Sequence, residues 1–153
     1  MRYWLMKSEP TSFGLEQLRK APRRTTGWDG VRNYQARNLL REMRRGEQAF
    51  LYHSSCEVPG IVAVMEVVRE AYPDPSAFDR RDAHYDPGSD PRQPRWFMVD
   101  VRLARALKRT ITLAELRAHA ARGLKGLALL RPGNRLSVSE VAAAHWRFIL
   151  ALE

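Results

Sequence analysis

Apolar and polar positions along the chain fall into short runs that alternate between the two-residue period of strands and the longer period of helices. The first run, Tyr3 to Lys7, predicts a strand closed by Ser8-Glu9-Pro10, because a proline cannot donate to a central ladder. Ser12 is placed to cap a short helix with Phe13, Leu15 and Leu18 on its apolar side, ending near Lys20 before Pro22. Arg23 to Val31 reads as loop, with Gly27 and Gly30 bracketing Trp28-Asp29. From Tyr34 to Arg45, residues Ala36, Leu39, Leu40 and Met43 recur at helical spacing. Arg37, Arg41, Arg44 and Arg45 fall on the other side, and Gly46 supplies a left-handed stop.

Glu47 to His53 and Gly60 to Val68 predict two strands joined as a hairpin, the second apolar enough to be buried on both faces. Tyr72 to Arg95 is one long irregular stretch rich in Pro, Asp and Gly, with a helical turn near Pro75 to Phe78. Trp96 to Leu107 alternates as a strand, with Phe97, Val99, Val101 and Leu103 on one face. Thr112-Leu113-Ala114-Glu115 fits a capping box opening a helix to about Arg122. Leu127 to Leu130 predicts a short strand, Arg135-Leu136 a strand stub, and Ser137-Val138-Ser139-Glu140 a second capping box. Val141, Ala144, His145 and Phe148 then carry a final helix. Strands mixed with short helices, without a repeating βαβ unit, point to one α+β domain over residues 1–153. A small, heavily curved sheet or barrel with peripheral helices fits this order.

Composition adds charge to this picture. The 153 residues carry a formal net charge of +9. A GC-rich genome would inflate arginine, and only four of the 26 cations are lysine. The cations nevertheless cluster, at Arg19, Lys20, Arg23 and Arg24, at Arg37, Arg41, Arg44 and Arg45, and at Arg102, Arg105, Lys108 and Arg109. Clustered cations supply the sequence-blind part of phosphate binding, so nucleic acid is the expected partner and the helix arginines 37, 41, 44 and 45 are candidate backbone contacts. No membrane partner is expected, since no apolar run reaches the ~18 residues a bilayer span needs. Cys56 is the only cysteine, and the Met1 to Lys7 run is shorter than the apolar core of a secretory leader, so a cytoplasmic address is expected.

Enzyme signatures are scarce. The chain has no glycine-rich phosphate loop, no HExxH and no Cys-x-x-Cys. His53 and Cys56 could form a nucleophile or half a metal site, but His84, His119 and His145 offer no matching ligand spacing, so neither metal nor cofactor is expected. Polar groups instead gather at strand ends and in loops beside aromatics: Lys7-Ser8-Glu9, Trp28 to Asn33, and His53-Ser54. At one barrel mouth they would form a slot in which tryptophan stacks on a planar base while hydroxyls and amides read its edge. The other reading makes Trp28 core and Asn33 a helix cap; the residues alone leave both open.

Three strings carry a resemblance: Tyr3-Trp4-Leu5-Met6-Lys7-Ser8-Glu9-Pro10, then Trp28-Asp29-Gly30-Val31-Arg32-Asn33-Tyr34-Gln35-Ala36-Arg37-Asn38, then Phe50-Leu51-Tyr52-His53-Ser54 with Pro59-Gly60-Ile61. Together with His84-Tyr85-Asp86-Pro87, Trp96 to Val101 and Arg135-Leu136-Ser137-Val138, they closely resemble the EVE domain family across essentially the whole chain. That resemblance implies a PUA-like fold, a small mixed β-barrel with flanking short helices, and recognition of a modified base in DNA or RNA. Similarity to the related YTH domains implies pocket roles for Lys7, Ser8 and Trp28, although the chain departs from those domains after Trp28. On this reading Trp28 stacks on the base, and Ser8, Asn33 and Ser54 read its edge. Lys7, Arg32 and Arg135 hold phosphate or a polar modification, while Ser137 caps a helix or donates to an anion. Tyr34, His53 or Trp4 completes an aromatic cage, and Val31 lines the site. A non-catalytic binder is expected; the rivals are an enzyme acting on nucleic acid or nucleotide, and a protein-interaction module.

Overall fold

A computed structural model describes all residues, Met1–Glu153. Its strands are β1 (Tyr3–Ser8), β2 (Thr25–Gly27), β3 (Gln48–His53), β4 (Gly60–Pro73), β5 (Phe97–Thr112) and β6 (Val138–Val141). The helices are α1 (Leu15–Lys20), α2 (Tyr34–Glu42), α3 (Leu113–Ala118) and α4 (Ala143–Leu152), with 3-10 turns at Pro22–Arg24, Pro75–Phe78 and Ala128–Leu130. The six strands form one mixed sheet in the order β2-β5-β4-β3-β1-β6. Only the β1–β3 pair is parallel; the others are antiparallel. Repeated register shifts along β4 and β5 bend that long pair. The result is barrel-like but not closed, since β2 and β6 remain edges.

Both faces of the sheet are covered, which explains the nearly unbroken apolar runs in β3 and β4. Trp4 and Met6 of β1, Ala49 and Leu51 of β3, and Val99, Val101 and Leu103 of β5 pack under α2 through Ala36, Leu40 and Met43. Their neighbours Leu5, Phe50, Ile61 and Ile111 face the other way, against Leu116 of α3 and Trp146 and Ile149 of α4. Trp146 stacks on Tyr3 and on Phe50, with ring centroids 4.6 and 3.9 Å apart.

The hairpin of β3 and β4 and the turn at Pro75–Phe78 stand as expected. Elsewhere tertiary contacts override local signals. Ser12 does not cap α1. Gly14 occupies that position, its N–H donating to Gln17 Oε1 (2.9 Å), while the Leu15 N–H donates to His53 Nε2 (3.2 Å). The stretch read as loop before Trp28 contains β2, paired to β5. α2 stops at Glu42 because Met43 turns into the core and buried Glu47 draws the chain back, accepting from Trp4 Nε1 (3.0 Å) and the Arg44 N–H (2.8 Å). β4 and β5 run beyond the apolar pattern, since their charged ends project into solvent while the ladder continues. α3 ends at Ala118, short of Arg122, as the chain enters tight turns.

Leu127 to Leu130 is not a strand; local bonds such as Leu130 N–H to Leu127 O wind it into a 3-10 turn. The second capping box is likewise a strand. Val138, Ser139 and Val141 are buried, β6 pairs with β1, and the Glu140 carboxylate accepts from Arg2. Arg135-Leu136 lies in the turn leading to it, and α4 starts only at Ala143, burying Trp146 and Ile149.

Candidate functional site

A cleft of about 540 Å³ opens where β1 ends. This volume lies within the ~300 to 1,000 Å³ of small-ligand pockets. Lys7, Ser8 and Glu9 leave β1 along one wall, Ser12 and Phe13 precede α1 on the next, and Thr26 to Asp29 form the third, with His84 at the rim. β1 must stop there because Pro10 follows Ser8 so closely.

The third wall is set by close packing. Trp28 donates its N–H to Val99 O (2.7 Å), continuing the β2–β5 ladder. A Cβ on Gly27 would sit 2.1 Å from Met98 Cε, so a larger residue there would have to displace the end of the Met98 side chain. Gly30 has φ +81°, and a Cβ there would meet the His84 ring at 2.8 Å. The Gly30 N–H donates to Asp74 Oδ2 (2.8 Å), and Arg32 Nη1 donates to the same oxygen (3.1 Å). Arg32 also donates to Ser76 Oγ (3.0 Å) and His84 O (2.9 Å), with its guanidinium 5.5 Å from the Trp96 ring. Asp74 is fully buried, so this ion pair ties residues 28–33 to the long irregular segment after β4.

The cleft's electrostatics are unusual for a surface. Burial lowers the Lys7 ammonium below its ordinary range. Asp29 is exposed to the cleft, yet loss of water, and then the nearby Asp74 charge, raise its carboxyl above the ordinary range. Burial would also raise Asp74, but donors from Ser76, Gly30 and Arg32 outweigh it and hold that group low. The Ser8 hydroxyl is buried without a partner, an arrangement that native structures seldom leave unused.

Of the residues singled out from sequence, the structure brings Lys7, Ser8 and Trp28 together on this cleft. Trp28 is both wall and core, 7% exposed within the larger apolar cluster. Val31 is buried beside it. Arg32 is committed to Asp74, and the Asn33 side-chain amide oxygen Oδ1 caps α2 by accepting from the Ala36 N–H (3.0 Å). Tyr34 is exposed and stacks on Trp96 (4.8 Å). His53 and Ser54 back the cleft: the Ser54 N–H donates to Ser8 O (2.9 Å), and burial lowers the His53 imidazole. Ser137 accepts the Lys7 N–H through its carbonyl (2.8 Å) and precedes a strand, so no helix start is there for it to cap. Arg135 is exposed outside the cleft.

Three of the four arginines in and just after α2 are locally engaged. Arg37 donates to Arg95 O (2.8 Å), Arg41 lies 4.4 Å over the Phe97 ring, and Arg44 pairs with Glu70 (3.4 Å). Arg45 is exposed. Sequence reasoning did not pick out Ser12, Phe13, Thr26, Gly27 or His84 as lining, and it set Glu9 and Asp29 at the mouth without giving either a role. Asp29 adjoins Trp28 and was within reach; Thr26 and Gly27 become visible only once β2 is paired, and His84 arrives from a distant loop.

A family model described as the EVE domain matches residues 2–152. The chain belongs to the EVE domain family. This EVE domain is 48% identical over 166 residues to human thymocyte nuclear protein 1, covering 99% of this chain and 73% of that protein. In three dimensions it is similar to the human THYN1 protein, solved in complex with DNA containing 5-methylcytosine. That match has TM-score 0.95 and 46% identity, covering 99% of this chain and 97% of the other. A crystal structure from Pseudomonas putida matches with TM-score 0.92 and 44% identity, covering 98% of both chains.

Proposed function

We propose that this EVE domain binds a modified nucleobase in nucleic acid, with 5-methylcytosine in DNA as the leading ligand, and that the base enters the cleft at the end of β1. The carrying observation is the cleft itself: an aromatic wall at Trp28 and Phe13 beside Lys7, Asp29 and the unpartnered Ser8 hydroxyl. The human relative solved with 5-methylcytosine DNA supports the choice of ligand. Stacking on an aromatic ring is worth ~1 to 3 kcal/mol per base. A flipped or single-stranded base is required, because a paired base hides the edges that Ser8 and Asp29 would read.

The role is binding rather than catalysis. The Ser8 hydroxyl has no base in hydrogen-bond reach to activate it, which supports this reading over a nucleophilic enzyme. Fluorescence anisotropy on oligonucleotides with one central 5-methylcytosine or cytosine, in DNA and in RNA, tests it. Tighter binding of the methylated DNA is expected, and indifference to methylation would overturn 5-methylcytosine as ligand. Trp28→Ala should weaken that binding roughly ten- to a hundred-fold, at about 1.4 kcal/mol per decade. Because Trp28 also belongs to the core, Trp28→Phe is the companion variant. It should stay folded and keep most of the binding. Product analysis after incubation checks for turnover, and unchanged oligonucleotide is expected.

A further inference from the structure

Given base binding in this cleft, 5-methylcytosine poses a problem that shape cannot solve. It shares its methyl group and its 2-carbonyl with thymine and differs only along one edge. Cytosine presents a 4-amino donor and an N3 acceptor, whereas thymine presents a 4-carbonyl acceptor and an N3–H donor. A site that distinguishes the two therefore needs an acceptor for the 4-amino group, a donor for N3, or both.

Asp29 supplies the acceptor. It lines the cleft immediately after Trp28, and its carboxylate has no ion pair and accepts from no other residue, only its own N–H reaching it. The Asp74 carboxylate behind the same wall differs in kind, accepting from Gly30, Arg32 and twice from Ser76. Nor is Asp29 loosely held. Trp28 N–H donates to Val99 O (2.7 Å), Asp29 N–H to Gly27 O (3.1 Å) and Gly30 N–H to Asp74 Oδ2 (2.8 Å), fixing the backbone at three consecutive residues. Glu9 is the other lining carboxylate without a partner, but its side chain is longer and it stands on the wall away from Trp28.

We infer that Asp29 selects cytosine over thymine in this cleft by accepting a hydrogen bond from the base's 4-amino group. The Ser8 hydroxyl complements it by donating to N3 or the 2-carbonyl, both acceptors on cytosine. Thymine would set its 4-carbonyl against the carboxylate, two acceptors facing each other with no proton between them. The amide of an Asp29→Asn variant offers a donor as well as an acceptor, so it accommodates either edge.

The test is an anisotropy matrix of four DNA oligonucleotides, with 5-methylcytosine, cytosine, thymine or uracil at one position, against wild type, Asp29→Asn, Asp29→Ala and Glu9→Gln. Wild type should favour 5-methylcytosine over thymine at least ten-fold. Asp29→Asn should shrink that ratio ten-fold or more while keeping the ratio of 5-methylcytosine to cytosine, which reports the methyl group. Asp29→Ala should shrink the cytosine–thymine distinction ten-fold or more. Glu9→Gln, although on the cleft wall, should shift all four affinities together so that both ratios hold, and thermal melts should show all variants folded. An unchanged 5-methylcytosine to thymine ratio in both Asp29 variants, or its collapse in Glu9→Gln instead, overturns the role of Asp29 while base binding stands. Equal binding of all four bases by wild type overturns both.

Discussion

Two clefts of the molecule are of nearly equal size, about 540 Å³ at the end of β1 and about 500 Å³ between α2, β6 and α4. Their chemistry separates them. The second is lined by Gln35, Leu39, Arg131, Glu140 and His145. Its one carboxylate is already held by Arg2 through two hydrogen bonds of 2.8 and 2.9 Å. The first holds an unpartnered hydroxyl, an unpaired carboxylate and a poorly solvated lysine around aromatic side chains. Its wall is also braced from behind by a buried ion pair. Volume does not distinguish a binding site from a surface fold; unsatisfied polar groups held on a rigid wall do.

The bracing is where the two clefts should differ most. Removing one partner of a buried ion pair costs ~3 to 5 kcal/mol, because the other charge stays buried and uncompensated. Arg32→Ala is expected to lose about that much in urea unfolding, leaving fully buried Asp74 without its cation. Arg131→Ala in the second cleft is expected to change stability by less than ~0.5 kcal/mol, as exposed positions do. The held-down Asp74 carboxyl adds a sign. Its stabilisation is complete above the unfolded carboxylate range and is lost as pH falls through its lower folded value. Asp74→Asn should therefore flatten the acid limb. Equal losses at Arg32 and Arg131 would erase the distinction.

Phosphate contacts sharpen the same comparison at smaller energies. Arg23 and Arg24 are exposed, adopt left-handed backbone (φ 57° and 52°) and lead directly into β2 at the first cleft. Neither takes part in an ion pair, unlike Arg44 just after α2. The log–log salt dependence of DNA binding has a slope of roughly −0.9 per phosphate neutralised. Arg23→Ala with Arg24→Ala should reduce its magnitude by about two, and Arg41→Ala with Arg45→Ala by less. Neither pair should alter base preference. A larger change from the α2 pair would move the phosphate track toward the second cleft.

What the sequence made legible follows this division. Local signals such as Pro10 placed Lys7 and Ser8 at a strand end and the glycines put Trp28 in a loop, but only the resemblance to a known family singled the three out as pocket residues. The second cleft's walls were misread. Leu127 to Leu130 and Ser137 to Glu140 carry local patterns that β1 and the turn bonds override. Asn33 shows the limit at one residue: the same amide fits a helix cap or a base edge, and only its bond to Ala36 shows the first use. Asp74 and His84 came from the long irregular segment, where no periodicity announces a partner some 40 to 50 residues away.

The smallest expected effect lies on the opposite wall of the first cleft, where α1 has no side-chain cap of its own. His53 does that work from β3, accepting the Leu15 N–H at Nε2, which requires that nitrogen to be unprotonated. Burial lowers the imidazole below its ordinary value near 6.5, so the unfolded chain takes up a proton before the folded one does. The resulting stability is fully present above about pH 6.5 and declines as pH falls through the lower folded value. Losing a helix cap costs about 1 kcal/mol. His53→Ala should therefore melt earlier than wild type at pH 8 by about that amount, and the gap should narrow by pH 5.5. Because Ser12 and Phe13 sit on the same wall, affinity for the oligonucleotide should fall only modestly, about two- to five-fold for a loss within ~1 kcal/mol. A gap between variants that widens on acidification would show the imidazole to be charged in the folded state and the α1 wall to be held by something else.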